Sequence, residues 1–313
     1  MSNPRRKGTV SSTSTYPKKK DLSSQLLRSP LRWFGGKGVL ANRIINFFPP
    51  HHTYIEVFGG GASLLFRKRP SPIEIYNDIN EPLFIFFTAL RNPDTFYPLR
   101  DSILLTPYSR ELYCDLRSKM DVNNPIDFFI LNRQGFGGNN DTFSWSFAIK
   151  QSAINMSAAT SKWVTTNQRL LDHHVRLQNV LITNTDFREL LEQHRDPNTL
   201  IYLDPPYLKS TRKDGGYNDE IVLRDHLDML ALIRDTPSMV VLSGYPSPHY
   251  EHALDKWQRV DFDMPCFAVG RVRGSSNTLG PGGLANHMRV ECLWLSPATI
   301  SALKISAQMI RKA

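Results

Sequence analysis

The segment Leu200-Ile201-Tyr202-Leu203-Asp204-Pro205-Pro206-Tyr207 is an apolar run that stops at a carboxylate, two prolines and a tyrosine. The run predicts a buried strand, which puts its terminal groups at the carboxyl edge of a sheet, where open α/β folds bind ligands. Adjacent prolines fix the backbone and remove two N–H donors, leaving carbonyls, one acid and a flat aromatic face. Such a set suits an exocyclic amino group: two acceptors for its hydrogens and a ring to stack on its base. Read alone, the same residues also fit a strand that ends in a proline turn.

The flanking sequence repeats the strand–helix theme. Buried strands are expected over 53–58, 73–77, 180–183 and 239–243. Helices are expected over 39–48 (closed by Pro49-Pro50), from about Ala62, over 81–90, and over a stretch with Leu223, Leu227, Leu230 and Ile233 on one face. Residues 259–263 and 289–295 read as a late hairpin, so the sheet should be mixed and mostly parallel. From Pro93 to Arg176 strand signals fade and Asn, Ser, Thr, Gly and aromatics dominate, the pattern of an inserted subdomain.

The chain has 313 residues, enough for one large or two medium domains, and no apolar run approaches the roughly 20 residues of a membrane span. Cys114, Cys266 and Cys292 are odd in number and lack Cys-x-x-Cys spacing, as expected of ordinary thiols in a reducing compartment. A cytoplasmic, nucleoid-associated protein fits this usage. The net charge of +9 is concentrated in residues 1–20, which carry Arg5, Arg6, Lys7, Lys18, Lys19 and Lys20 without an acid. Residues 1–28 therefore read as a disordered basic tail able to add salt-sensitive affinity for a polyanion. The pairs His51-His52 and His173-His174 lack a third ligand at suitable spacing, so no metal is assigned.

A strand, the turn Gly59-Gly60-Gly61 and a helix, with Asp78 ending the next strand, follow the plan of a nucleotide-type site. Gly59 and Gly61 would let backbone approach a ligand, and Asp78 could accept from two ribose hydroxyls. Leu64 stands where a dinucleotide fingerprint needs its third glycine. Glu56 adds an acid suited to a cofactor with a free amino group. Trp33-Phe34-Gly35-Gly36-Lys37 is not a phosphate loop, lacking Ser or Thr after its lysine. It suits a cofactor bearing a carboxylate for Lys37 and a sulfonium for an aromatic face.

In order and content these pieces resemble the Dam-like N6-adenine DNA methyltransferase family in its alpha motif arrangement. Trp33 to Lys37 resembles its N-terminal cofactor motif, Glu56-Val57-Phe58-Gly59-Gly60-Gly61 its glycine motif, and Asp78-Ile79-Asn80 its acidic motif. Asn184-Thr185-Asp186-Phe187 is similar to its adenine-holding element and Asp204 to Tyr207 to its catalytic motif. Asn132-Arg133-Gln134-Gly135-Phe136-Gly137 is similar to a segment of the DNA-facing subdomain, and Arg289 to Trp294 to the closing strand. Val57 departs from the proline common there, and Gly137-Gly138 from Asn-Gly.

The resemblance implies an α/β fold: a Rossmann-like S-adenosylmethionine-dependent methyltransferase sheet with an inserted, mainly helical and irregular target-recognition subdomain. The catalytic domain would comprise residues 29–92 and 177–300, the recognition subdomain 93–176, and a C-terminal tail 301–313. S-adenosyl-L-methionine would meet Trp33, Phe34, Gly35, Lys37, Glu56, Phe58, Gly59, Gly61, Asp78, Asp186, Phe187 and Asp204. The substrate would be an adenine flipped from double-stranded DNA, with Asp204, Pro205, Pro206 and Tyr207 catalytic. DNA contacts are expected from Arg133, Asn139 and Asn140 in the insertion, from Lys209, Arg212 and Lys213 after the catalytic motif, and from Arg271 and Arg273 in the hairpin loop. A cognate restriction endonuclease is an expected partner. Competing readings are the same chemistry on cytosine N4, RNA or a protein amide, a silent DNA-binding module, and a dinucleotide oxidoreductase.

Overall fold

Short apolar strands and capped helices alternate along the chain, and the resulting order fixes where a ligand can enter. A computed structural model describes residues 26–119, 121–138, 142–145, 156–207, 222–265 and 288–312. Five parallel strands are β1 (Thr53–Glu56), β2 (Ile73–Asn77), β3 (Val180–Thr183), β4 (Thr199–Leu203) and β5 (Met239–Gly244). An antiparallel pair, β6 (Gln258–Pro265) and β7 (Met288–Leu295), extends one edge, with β7 lying beside β5. The sheet order is β3-β2-β1-β4-β5-β7-β6, so the strand order reverses direction between β1 and β4. A crevice at the carboxyl ends of those two strands follows from this topology.

The helices are α1 (Ala41–Ile45), α2 (Ser63–Arg67), α3 (Glu81–Arg91), α4 (Pro93–Leu105), α5 (Arg110–Lys119), α6 (Pro125–Gln134), α7 (Ala158–Gln168), α8 (Leu170–Leu177), α9 (Phe187–Gln193), α10 (Leu223–Arg234), α11 (Pro248–Ala253) and α12 (Pro297–Lys312). Asparagine followed by proline starts three of them. Asn80, Asn92 and Asn124 each accept a backbone N–H of the first turn, with proline at its first or second position. The helix expected over 39–48 is confined to α1, since Pro49-Pro50 disfavours helical backbone just before it. Residues from 301 onward, expected as a tail, belong to α12, whose Ala298, Ile300 and Ala302 pack on the core.

Apolar clusters cover both faces of the sheet. On one, Ile55, Ile75, Ile201 and Val240 meet Phe187 and Leu190 of α9 and Met229, Leu230 and Ile233 of α10. Here the expected face of α10 needs correction. Leu223 and Leu227 are exposed, while His226 and Met229 are buried, because the imidazole finds a polar partner in the Tyr250 hydroxyl at 2.7 Å. On the other face, Tyr54, Tyr76 and Tyr202 share one cluster with Phe96 of α4, Phe128 and Phe129 of α6 and Trp163 of α7. The inserted helices thus share the catalytic sheet's core. No helix among the described residues is long and apolar enough to cross a membrane.

Candidate active site

The carboxyl ends of β1, β2 and β4 frame an open cleft enclosing about 770 Å³ of non-atom space, part of it open to solvent. Trp33, Phe34, Gly35 and Lys37 line it from the N-terminal segment; Glu56, Phe58, Gly59 and Gly61 from the β1 turn; Asp78 from β2; and Asp204 and Pro206 from β4. The structure therefore brings together most of the residues expected at a cofactor site. Ile79, half exposed beside Asp78, and Tyr202 also line it, and neither was singled out in the sequence.

The glycine turn is shaped by packing as much as by ligand access. A Cβ on Gly59 would stand 2.1 Å from the Tyr76 ring. Gly60 adopts φ +48°, with Trp33 directly against its missing side chain, and its N–H donates to Asp78 Oδ2 at 2.7 Å. Asp78 Oδ1 accepts from the Asn80 N–H at 2.9 Å. Asp78 thus holds the turn in place. Asp186 caps α9 through the Arg188 N–H at 2.8 Å, and Phe187 is buried against Phe58 with ring centroids 5.6 Å apart. Neither lines the cleft; the Phe187 ring packs on Phe58, which does.

Charge in the cleft is unusual. Glu56 is buried on the sheet face beside Tyr76 and Tyr202. Burial, aided by the charges of Asp204 and Glu74, pushes its carboxyl up to about 8 against the opposing bond from the Leu65 N–H. Lys37 is buried and its Nζ donates to both oxygens of Asp204, at 2.6 and 2.7 Å, and to the Gly35 carbonyl at 3.0 Å. Gly35 takes φ +72° in the turn that carries Lys37 back to this point. Burial raises the Asp204 carboxyl, Lys37 opposes this, and the Glu291 charge raises it further.

Glu291 enters from β7, on the same sheet face as Leu293 and Phe262. Its Oε1 lies 3.4 Å from Lys37 Nζ and accepts a short hydrogen bond from the Tyr207 hydroxyl, which also lies 3.1 Å from Asp204 Oδ1. The Tyr207 ring is buried, with Lys37 Nζ 4.9 Å from its centroid and Tyr245 packed edge-on at 4.5 Å. Sequence reading took Glu291 as part of a closing strand. A charge at an inward-facing position of a mostly apolar strand was the available signal. Cys292 next to it faces the other core, and burial pushes its thiol up to about 12, far from a nucleophile.

Arg133 is placed differently from its expected role at DNA. It is buried, and its guanidinium donates to Thr166 Oγ1 at 2.7 Å and the Lys162 carbonyl at 3.3 Å in α7. Its neighbours turn inward too. Asn132 exchanges hydrogen bonds of 2.8 and 2.7 Å with the Arg32 backbone, and Gln134 bonds Ser109 N–H and the Pro107 carbonyl. The segment is an internal clamp. Phe136 beside it is largely exposed. Asn139, Asn140, Lys209, Arg212, Lys213, Arg271 and Arg273 lie outside the described residues. His51, His173 and His174 hydrogen-bond backbone carbonyls, and no group of three or more His, Cys, Asp or Glu among the described residues could hold a metal.

Five parallel strands with an antiparallel β7 between β5 and β6, and a cleft at the β1–β4 switch, define a Rossmann-like methyltransferase fold. Residues 33–245 match the D12 class N6 adenine-specific DNA methyltransferases, and the chain belongs to that family. It is 28% identical over 222 residues to "Modification methylase StsI" of Streptococcus sanguinis, covering 67% of this chain and 31% of that protein. "Type II methyltransferase M.FokI" of Planomicrobium okeanokoites is 26% identical over 236 residues, covering 67% and 35%. "Modification methylase LlaI" of Lactococcus lactis subsp. lactis is 26% identical over 215 residues, covering 64% and 32%. The chain thus spans about a third of the length of these curated relatives.

Proposed function

We propose that this protein is a site-specific DNA adenine-N6 methyltransferase acting on double-stranded DNA, with S-adenosyl-L-methionine as methyl donor. The observation that carries this reading is the half-buried Asp204 carboxyl lining the cleft, directly preceding Pro205, Pro206 and Tyr207. The cleft fits the cofactor in its donor set: Asp78 for hydroxyls, Trp33 and Phe34 for aromatic contact, and Lys37 for a carboxylate. S-adenosylmethionine bound there supplies a methyl group already activated for direct displacement, so no covalent enzyme intermediate is needed.

The chain's own part is to receive and orient adenine. Flipping the base out of a duplex costs a few kcal/mol, least where it is already poorly stacked. Asp204 and the Pro205 carbonyl accept the two N6 hydrogens, drawing the nitrogen lone pair out of conjugation, and the Tyr207 ring stacks on the base. After transfer N6 carries an extra proton, and a carboxyl raised by burial is well matched to take it. Positioning and electrostatics supply most of the rate. Asn139, Asn140, Lys209, Arg212, Lys213, Arg271 and Arg273 are the proposed DNA contacts, with exposed Phe136 as a further aromatic surface. A cognate restriction endonuclease fits the modification-methylase relatives as a partner.

Incubation with methyl-labelled cofactor and duplex DNA, followed by nucleoside analysis, should give N6-methyladenine. N4-methylcytosine or no label would overturn the assignment. Asp204→Ala should abolish transfer while sparing the fold.

A further inference from the structure

In the described conformation the catalytic motif is closed by its own lysine. Lys37 Nζ bonds both oxygens of Asp204 and lies against the Tyr207 ring, so one ammonium occupies the stacking face and one acceptor site on each carboxylate oxygen. For a base to stack on Tyr207 beside Asp204, that ammonium must shift. A buried cation cannot leave its counterion for an apolar wall without a large desolvation cost. Glu291 Oε1 is 3.4 Å away, already within ion-pair reach, and is itself nearly buried on an apolar sheet face. One Tyr207 hydroxyl proton serves two carboxylates, and its shorter contact is to Glu291. The side chain thus holds the aromatic ring from behind while offering the lysine a second seat.

We propose that Glu291 is a positioning residue that draws Lys37 off Asp204 and anchors Tyr207, opening the catalytic motif to the target base. The inference rests on the adenine-N6 reading, but it concerns a residue on a strand 84 positions beyond Tyr207. Two carboxylates sharing one ammonium let the lysine exchange between them at little electrostatic cost, because the pair keeps the same net charge throughout.

The test is Glu291→Gln, which keeps an acceptor for Tyr207 but removes the charge, beside Glu291→Asp, which keeps it. Methyl transfer to duplex DNA in Glu291→Gln should show kcat reduced about tenfold to a hundredfold, the span of one charge-assisted hydrogen bond, with KM for DNA nearly unchanged. The groups that face Asp204 are Lys37, Glu291, Tyr207, Tyr202, Tyr250 and Glu56. Removing the Glu291 charge takes away one influence that raises Asp204, so the acidic limb of kcat should move to lower pH in Glu291→Gln and stay in place in Glu291→Asp. The same downward displacement should appear in the unliganded protein as the carboxyl NMR titration of Asp204, assigned by its loss in Asp204→Asn. Wild-type kcat and an unmoved Asp204 titration in Glu291→Gln would overturn the inference. Wild-type protein that does not methylate adenine would instead sink the proposed function, and the NMR titration would still decide whether Glu291 acts on Asp204. A Glu291→Gln variant that fails to fold leaves the decision to Glu291→Asp, whose shorter side chain keeps the charge, and so the acidic limb, but not the reach to Lys37 and Tyr207: its kcat should fall, and an undiminished kcat would overturn the inference.

Discussion

Replacing Lys37 with methionine removes the ammonium that touches both Asp204 oxygens while keeping the volume of the side chain. A hydrogen bond to a charged group is worth about 1.5–3 kcal/mol, and about 1.4 kcal/mol corresponds to one pKa unit. Burial and Glu291 already raise the Asp204 carboxyl, and Lys37 is the main opposing influence. Its loss should therefore raise Asp204 further. Since Asp204 accepts N6 hydrogens only when ionised, activity is present above its pKa and lost below it. The acidic limb of kcat should move to higher pH in Lys37→Met. The assay is methyl transfer across roughly pH 5 to 9 at saturating DNA and cofactor, which separates this effect from any loss of cofactor affinity. The double variant Lys37→Met/Glu291→Gln should bring the limb back toward wild type, because the two changes act on one carboxylate in opposite directions. A limb in Lys37→Met that stays in place or moves to lower pH would refute the reasoning.

Three further outcomes are expected. Glu74 is buried between Lys68 Nζ at 2.5 Å and Arg176, which it binds through both oxygens; Glu74→Ala strands two buried cations and should cost about 3–5 kcal/mol, lowering Tm by roughly 5–15 °C in a thermal melt. Gly59→Ala drives a methyl group into the Tyr76 ring; it should destabilise by about 1–3 kcal/mol and weaken S-adenosylmethionine binding measured by calorimetry, because the cleft wall must shift. Arg133→Met should leave the salt dependence of DNA binding unchanged, since the guanidinium is buried, whereas Arg271→Ala and Arg273→Ala should each lower the slope of log K against log salt by about one.

Much of the fold was legible because its signals are local. Strands β2 and β3 begin and end where the apolar runs do, and the late hairpin follows from two runs separated by a loop of Arg, Gly and Pro. The cofactor motif, the glycine turn and Asp204 were each readable, since each is a contiguous segment at a strand end. What was not legible depends on tertiary partners. The buried stripe of α10 includes His226 because Tyr250 from another helix satisfies it, and no periodicity reports that. Asn132-Arg133-Gln134 has the composition of a nucleic-acid contact, yet its side chains are consumed by Arg32, α7 and Pro107. Glu291 joins the site only because β7 inserts between β5 and β6, a pairing set by sheet topology.

That internal clamp bears on how DNA engagement reaches the chemistry. Asn132 fixes the Arg32 backbone from both its N–H and its carbonyl, and the Arg32 guanidinium donates to the Gly135 carbonyl at 3.1 Å. Trp33 follows at once, and the turn to Lys37 comes four residues later. The end of α6 and the cofactor motif are therefore one hydrogen-bonded unit, held over the same aromatic core as the sheet. A displacement of α6 would act through these bonds on the Arg32 backbone, five residues before Lys37. Asn132→Ala removes the paired bonds without touching the charges of the site. It should lower kcat more than it weakens DNA affinity, measured by methyl transfer and by equilibrium binding to the same duplex. Equal losses in both would mean that the clamp only holds the fold together. A kcat loss alone would mean that the reader sets the position of the lysine that Asp204 must give up.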